Sequence, residues 1–335
     1  MRLLFEVLRF LLVTVTGHGY DRAEWMNRVH HKLAFRLHKL LPFFGIAGIQ
    51  KVSVPAPFKG EPAPFKRELE MPDKSMYVRA EDGGVAHQLI MYRQYEPYES
   101  KLVRHYLKPG MTVYNIGANL GYYVLLASMR VGQPGTAVQQ QARTPAPRGT
   151  VYAFEPAPEN FELLTRTIDE NHIVNVVALQ TAMGATEGVA KLSLSVTNSG
   201  DHQLREVSGR SHVTVDVTSI DRFIDAGHPA PDAIILDVQG SELDVLLGAK
   251  TLIGSSRPLV LFTEFWPQGL NERHPNGASR FLDMLDHSGF TFQLIDEKYR
   301  TSTEITSQQL LSTIIEDREV NLLCTREMSR NLGVG

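Results

Sequence analysis

Asn115, Glu155, Asp237 and Glu264 are the side chains of this sequence best placed to do chemistry together. Each stands at or beside the end of a short apolar run: Thr112-Val113-Tyr114, Val151-Tyr152-Ala153-Phe154, Ala233-Ile234-Ile235-Leu236 and Leu259 to Thr263. Runs of that length, bounded by turn residues, read as strands buried on both faces of a parallel sheet. In an open α/β sheet, ligands bind outside the carboxyl ends of the strands, near the point where strand order reverses. A lone strand-end carboxylate is usually just solvated. Several at one edge could accept hydrogen bonds from sugar hydroxyls, face a cation, or take up a proton.

The loop after the first run narrows the ligand. Gly117-Ala118-Asn119-Leu120-Gly121 brackets a turn between that strand and an apolar helical pattern starting at Tyr123. Strand, tight loop and helix bring bare backbone up to a nucleotide-like ligand. The spacing is neither the G-x-G-x-x-G of dinucleotide sites nor the G-K-[ST] of triphosphate sites. It suits a ligand with an adenosine and no pyrophosphate, and S-adenosylmethionine is the leading candidate. Glu155, at the tip of the next strand, would then accept both ribose hydroxyls. The usual gap from glycine loop to acid is roughly 20 residues. Here it is longer because residues 132–149, GQPGTAVQQQARTPAPRG, read as an inserted surface loop.

A third string, Asp237-Val238-Gln239-Gly240-Ser241-Glu242, puts an acid at a strand tip, a glycine in the turn and a cap before a helix. Together the strings Asn115–Gly121, Tyr152–Phe161 and Ile235–Leu246 resemble the FkbM family of S-adenosylmethionine-dependent methyltransferases, over about residues 92–266. The resemblance implies a Rossmann-like class I methyltransferase fold and O-methylation of a hydroxyl, often on a sugar or secondary metabolite. Carried over residue by residue, it implies that Gly117, Asn119 and Gly121 shape the cofactor loop and Glu155 holds the ribose. Thr181 and Ala182 would border the adenine, and Asp237 would lie near the methionine end. The family usually has Asp where Asn115 stands, and often Glu where Gln239 stands. Asn115 can still accept from the cofactor's ammonium, without the charge-assisted part.

Methyl transfer to a hydroxyl needs in-line positioning and a base for the departing proton. Asp237 is the first choice for that base, with Glu242, Glu264 and His202 also available. The polar turn Thr197-Asn198-Ser199-Gly200-Asp201-His202 could fold over the site, making Asn198, Ser199 and His202 candidate acceptor-binding residues. A lone loop histidine more often does nothing. No clustered metal-ligand spacing is present, so no metal is expected. Two rival readings stay open: a nucleotide-dependent oxidoreductase, disfavoured by the missing third glycine, and a non-catalytic or membrane-recruited binding protein that keeps the fold.

The elements that must position these groups follow from periodicity. Of 335 residues, 43% are hydrophobic and the net charge is −3. No basic surplus points to nucleic acid; the expected partner is a small-molecule or glycan acceptor with a free hydroxyl. The single cysteine, Cys324, reads as a core residue, which fits a reducing, cytoplasmic setting. The expected domain is α/β, with a mostly parallel sheet covered by helices on both faces and a late antiparallel strand at 320–325. Helices are expected over 122–131, 158–171 and 242–252. Strands are expected at 174–181 and 290–295, and an antiparallel hairpin at 190–196 and 212–217. Residues 1–50 read as an amphipathic helical extension, 51–85 as a linker and 86–328 as the methyltransferase domain. The extension carries an apolar stripe (Leu3, Leu4, Val7, Leu8 and Leu11, then Trp25, Val29, Leu33 and Leu37) beside basic faces with Lys32, Arg36 and Lys39. It is too short and too charged to span a membrane. Packing on the domain or on a partner subunit is the plainer reading. Lying at the inner membrane surface is the other.

Overall fold

A computed structural model describes residues 4–9, 24–42, 46–54, 74–132, 149–314 and 318–327. Its strands are β1 (Ile49–Val54), β2 (Lys74–Arg79), β3 (Val113–Ile116), β4 (Val151–Phe154), β5 (Val176–Leu179), β6 (Ala182–Met183) and β7 (Gly188–Ser193). They continue with β8 (His212–Thr218), β9 (Ala233–Leu236), β10 (Leu259–Phe265), β11 (Thr291–Asp296), β12 (Thr301–Ile305) and β13 (Val320–Arg326). The helices are α1 (Glu24–Lys39), α2 (Val85–Tyr92), α3 (Pro97–Tyr106), α4 (Tyr122–Val131), α5 (Pro158–Glu170) and α6 (Ile220–Asp225). After them come α7 (Glu242–Leu247), α8 (Lys250–Gly254), α9 (Pro267–Arg273), α10 (Gly277–His287) and α11 (Ser307–Thr313).

The central sheet has eight strands in the order β12-β11-β13-β10-β9-β3-β4-β5. β10, β9, β3, β4 and β5 are parallel. β13 is antiparallel to its neighbours, as expected of the late strand, and inserts between β10 and β11. Strand order reverses between β3 and β9, so the loops after these two strands meet at the switch point. The strands alternate strictly across the sheet. Val113, Val151, Ala153, Ile235 and Phe262 face a core with Leu89, Val103, Leu125 and Leu164 from α2, α3, α4 and α5. Tyr114, Tyr152, Phe154, Ile234 and Leu261 face the other, with Phe223, Leu243, Leu246, Phe281 and Leu285. Strands apolar on both sides cannot sit at a solvated surface, which is why helices cover both faces.

The 188–218 region forms the expected hairpin, β7 against β8, but as part of a separate sheet of order β6-β8-β7. The expected strand 174–181 is β5, which stops at Leu179, and β6 follows it at Ala182–Met183. The helix expected over 242–252 is instead α7 and α8, broken at Gly248. There a Cβ would lie 2.0 Å from the carbonyl oxygen of Gly184, so the chain passes too close for a regular helix to continue. Asp221 accepts from the backbone N–H of Thr251 and Leu252, at 2.7 and 3.1 Å, and starts α8 afresh. The stretch expected to be a linker contributes two antiparallel strands, β1 and β2, whose pairing runs from Ile49–Arg79 to Val54–Lys74. Thr167 of α5 and Asn171 just beyond its end accept from the N–H groups of Tyr77 and Ser75 and tie β2 to the domain. Most of the expected inserted loop, residues 133–148, lies outside the described residues. So does the chain over 10–23.

Candidate active site

β3 delivers Ile116 to a turn that only glycine can make. Gly117 has φ +81, and a Cβ there would sit 1.8 Å from the carbonyl oxygen of Asp237. Two strand-end loops are thus pressed backbone to backbone. The N–H groups of Gly117 and Ala118 both donate to the Phe154 carbonyl, at 3.0 and 2.9 Å. Gly121 caps α4 with φ +90, against Leu164 of α5. Between them Asn119 takes a left-handed conformation, φ 49.

Glu155 holds this loop. Its carboxylate accepts from the N–H of Asn119 at 2.7 Å and from that of Ala157 at 2.9 Å. Burial pushes its pKa up to about 7, against the pull of those amides. Each oxygen keeps a lone pair for another donor. The adjoining cavity is lined by Glu155, Asn160, Ala182, Met183, Val238 and His202, among others. Ala182, expected at the adenine, lines this cavity. Thr181 is not among the lining residues; its hydroxyl donates to the Asp216 carbonyl at 3.0 Å.

Asp237 and Asn119 line this cavity, a second enclosed one beneath the strand tips, and an open cleft of about 580 Å³. The enclosed one is bounded by Asn115, Tyr95, Glu96, Glu99, Tyr123 and Glu264. The open cleft is lined by Glu264, Asp296, Glu297, Glu319, Lys298 and Arg318, with Asn198 at its rim. Asp237 is solvent-exposed at the strand tip where these spaces meet, and the protein packed around it raises its pKa. Gln239, in a left-handed conformation with φ 52, donates from its one amide nitrogen to Asp237 at 2.8 Å and to Glu264 at 3.0 Å. A carboxylate at position 239 would add repulsion where the amide bridges two acids.

The remaining expected residues separate. Glu242 lines none of these cavities. It is fully buried, and its carboxylate accepts from the N–H groups of Val238 and Gly240, at 3.1 and 3.2 Å. It shapes the Asp237 loop from behind, so it is no base for an acceptor in the cleft. Glu264 does reach the cleft, with a pKa raised well above the usual carboxylate range by burial and by Asp237. His202 lines the cofactor-side cavity, but its Nδ1 accepts from the Ser195 N–H at 3.0 Å. Burial lowers its pKa. The neutral ring therefore carries its proton on Nε2 and can donate into the cavity but not act as a base. Ser199 lines the same cavity, and its hydroxyl and N–H both bind the Asp82 carboxylate. Asn160 donates to the Ser199 carbonyl at 3.1 Å. The polar turn is folded over the site as expected, clamped to the turn before α2 by Asp82 and by the Gly83 N–H, which donates to the Thr197 carbonyl at 2.9 Å.

Sequence reasoning missed the acids before β3. Glu96 and Glu99 flank the start of α3, and both face the enclosed cavity. Their signal was present in Tyr95-Glu96-Pro97-Tyr98-Glu99, where acids three apart bracket a helix-starting proline.

S-adenosylmethionine fits the residues that are present. The cavity beside the Gly117–Gly121 loop is lined by the Glu155 carboxylate and the apolar side chains of Ile116, Phe154, Met183 and Val238, a lining suited to an adenosine. The buried Oδ1 atoms of Asn115 and Asn119 have no hydrogen-bond partner among the described residues, so two acceptors stand ready at the loop.

The family described as methyltransferase FkbM domain matches residues 115–292. Hexuronic acid methyltransferase AglP of Haloferax volcanii is 26% identical over 145 residues, which are 43% of this chain and 52% of that protein. The chain thus spans about half the length of this curated relative. Among solved structures, methyltransferase FkbM of Methylobacillus flagellatus is 15% identical, covering 71% of this chain and 52% of that one, with a TM-score of 0.36. Fibrillarin of Aeropyrum pernix, solved with natively bound S-adenosyl-L-methionine, is 11% identical over 68% of this chain and 73% of that one, also at a TM-score of 0.36.

Proposed function

The chain belongs to the methyltransferase FkbM domain family, and from that premise we propose that it methylates a hydroxyl group of a sugar or glycan with S-adenosylmethionine as donor. The observation that carries this reading is Asp237, the carboxylate shared by the cofactor-side cavities and the open cleft. When bound, the cofactor supplies an electrophilic methyl group on a sulfonium. Asp237 would take the proton of the acceptor hydroxyl as that hydroxyl's oxygen becomes the nucleophile. The pKa of Asp237 is raised above the usual aspartate value by the surrounding protein, which makes it a stronger base. Gln239 holds it in place and keeps Glu264 beside it without a third charge. Glu155, together with the backbone of the Gly117–Gly121 loop, positions the adenosine. Asn198 at the cleft rim, and Ser199 and His202 on the turn between the cavities, contact the acceptor or close over it.

The acceptor cleft is acidic: Asp237, Glu264, Asp296, Glu297 and Glu319 stand against Lys298 and Arg318. Carboxylates accept well from vicinal hydroxyls and repel an anionic sugar. The reading is therefore a neutral or amino-bearing sugar, in contrast to the hexuronic acid in the name of the Haloferax relative. Methyl transfer from labelled cofactor would be measured against matched neutral, amino and uronic glycosides. Turnover of the neutral or amino sugars is expected. Transfer to the uronic acid alone would overturn the acceptor class, and transfer to none of the three would overturn the hydroxyl-acceptor reading.

A further inference from the structure

The enclosed cavity beneath the strand tips has an unusual charge arrangement for a methionine-binding pocket. The strand residue that faces it, Asn115, is neutral. Only 3% of its surface is exposed, its Oδ1 has no hydrogen-bond partner, and its amide nitrogen makes one long contact of 3.4 Å to the Ile235 carbonyl. A buried amide oxygen without a donor costs free energy unless a ligand supplies one. The charge that Asn115 lacks comes from α3. Glu96 lines both this cavity and the open cleft. Its carboxylate is aimed by two neutral donors: the Tyr123 hydroxyl at 2.8 Å and the Asn321 amide at 3.1 Å. Among the described residues no cation is bonded to it. Its backbone is held at φ 38 and ψ 69, a left-handed conformation that non-glycine residues keep where surrounding structure demands it, often at functional sites.

We propose that Glu96, rather than the residue at the tip of β3, carries the negative charge that holds the α-ammonium of the bound cofactor, with Asn115 Oδ1 as the neutral second acceptor. This rests on S-adenosylmethionine being the donor and adds a residue to its site. The raised pKa of Glu96, up to about 7 through burial first, is what a carboxylate waiting for a cation shows.

The test is calorimetry on the full chain with two probes: S-adenosylhomocysteine, which has the ammonium, and 5′-methylthioadenosine, which lacks the whole amino-acid end. Glu96→Gln should weaken S-adenosylhomocysteine about ten- to a hundredfold while 5′-methylthioadenosine changes less than about threefold. Adding Asn115→Asp to Glu96→Gln should recover most of the loss. Asn115→Asp alone should gain little, because Glu96 already supplies the charge. If Glu96→Gln does not fold, Glu96→Asp, which draws the charge back by one methylene, should still separate the two probes. Equal weakening of both probes, or unchanged binding of S-adenosylhomocysteine, overturns the assignment of Glu96 and leaves the methyltransferase reading standing. A wild-type chain that binds neither probe overturns both.

Discussion

At the scale of single residues, the site separates acids by what they touch. Asp237 meets all three spaces, Glu155 meets the loop and the cofactor side, and Glu242 meets only the loop it supports. Asp237→Asn keeps shape and polarity but removes the base, so kcat should fall by about 10²–10⁴ while cofactor and acceptor dissociation constants stay near wild type. The wild-type rate should rise with pH through the raised Asp237 pKa, and that limb should vanish in the variant. A variant that loses cofactor affinity and keeps its maximal rate would make Asp237 a binding residue, and Glu264 the next base to test. Glu155→Ala should weaken S-adenosylhomocysteine by roughly 1.5–3 kcal/mol, since it removes a buried charged acceptor. It also frees the Asn119 and Ala157 N–H groups, so the loss belongs at the upper end of that range. Unchanged affinity by calorimetry in a folded variant would contradict the ribose role.

At the scale of elements, the functional geometry lies in how strand ends become helix starts. The β3–α4 and β9–α7 loops touch through Gly117 and the Asp237 carbonyl, so neither can move alone. Gly117→Ala would meet that carbonyl and also hold φ +81, a conformation costing an L-residue about 1–2 kcal/mol before any clash. Cofactor affinity should fall more steeply than thermal stability, because the loops must part where the ligand binds. A variant with unimpaired binding would show that the contact is dispensable. α8 offers a control remote from the site. Asp221→Ala removes the acceptor for Thr251 and Leu252 and should cost about 1 kcal/mol of stability, read by denaturant titration, with catalysis untouched.

At the scale of the whole molecule, burying many carboxyls around one ligand site sets how stability depends on pH. Glu96, Glu155 and Glu242 are each raised from 4.5 to about 7, with burial the leading cause. A group that binds its proton more tightly when folded contributes stability that is complete below its unfolded pKa. That contribution is lost as pH rises through the folded value. The melting temperature of the ligand-free chain should therefore fall between about pH 5 and pH 8, and S-adenosylmethionine, a cation at its sulfonium and ammonium, should recover most of it at the upper end. A flat profile would mean that these acids ionise freely in the folded state. The N-terminal segments belong to the same body: Phe5, Ala34 and Leu41 are buried in the main core, and Arg9 donates to the Met91 carbonyl of α2 at 3.1 Å. Leu4, Val7, Leu33, Phe35 and Leu40 remain exposed beside Lys32, Arg36 and Lys39. Among the described residues no helix is long and apolar enough to cross a membrane.

The sequence by itself determined the parallel sheet, its switch-point loops and the carboxylates at its edge. Those features are local: apolar runs, a glycine where φ must be positive, an acid directly after a strand. It also determined β13 as the late strand, since 320–325 is an apolar run like the others. Tertiary structure alone decided the rest. Whether the acid of Asp237-Val238-Gln239-Gly240-Ser241-Glu242 that faces a ligand is the first or the last depends on how the turn winds, and winding set Glu242 beneath its own loop. Whether residues 242–252 form one helix depended on Gly184 passing within contact of Gly248. β1 and β2 pair across a sequence separation that no local period reports, from Val54 to Lys74. Glu96 lies outside every strand-tip pattern and reaches the site only because α3 packs on α4, bringing it to Tyr123, while β13 brings Asn321. Contacts between segments distant in sequence leave no periodic trace, and it is these contacts that turned a set of strand-end acids into an ordered site.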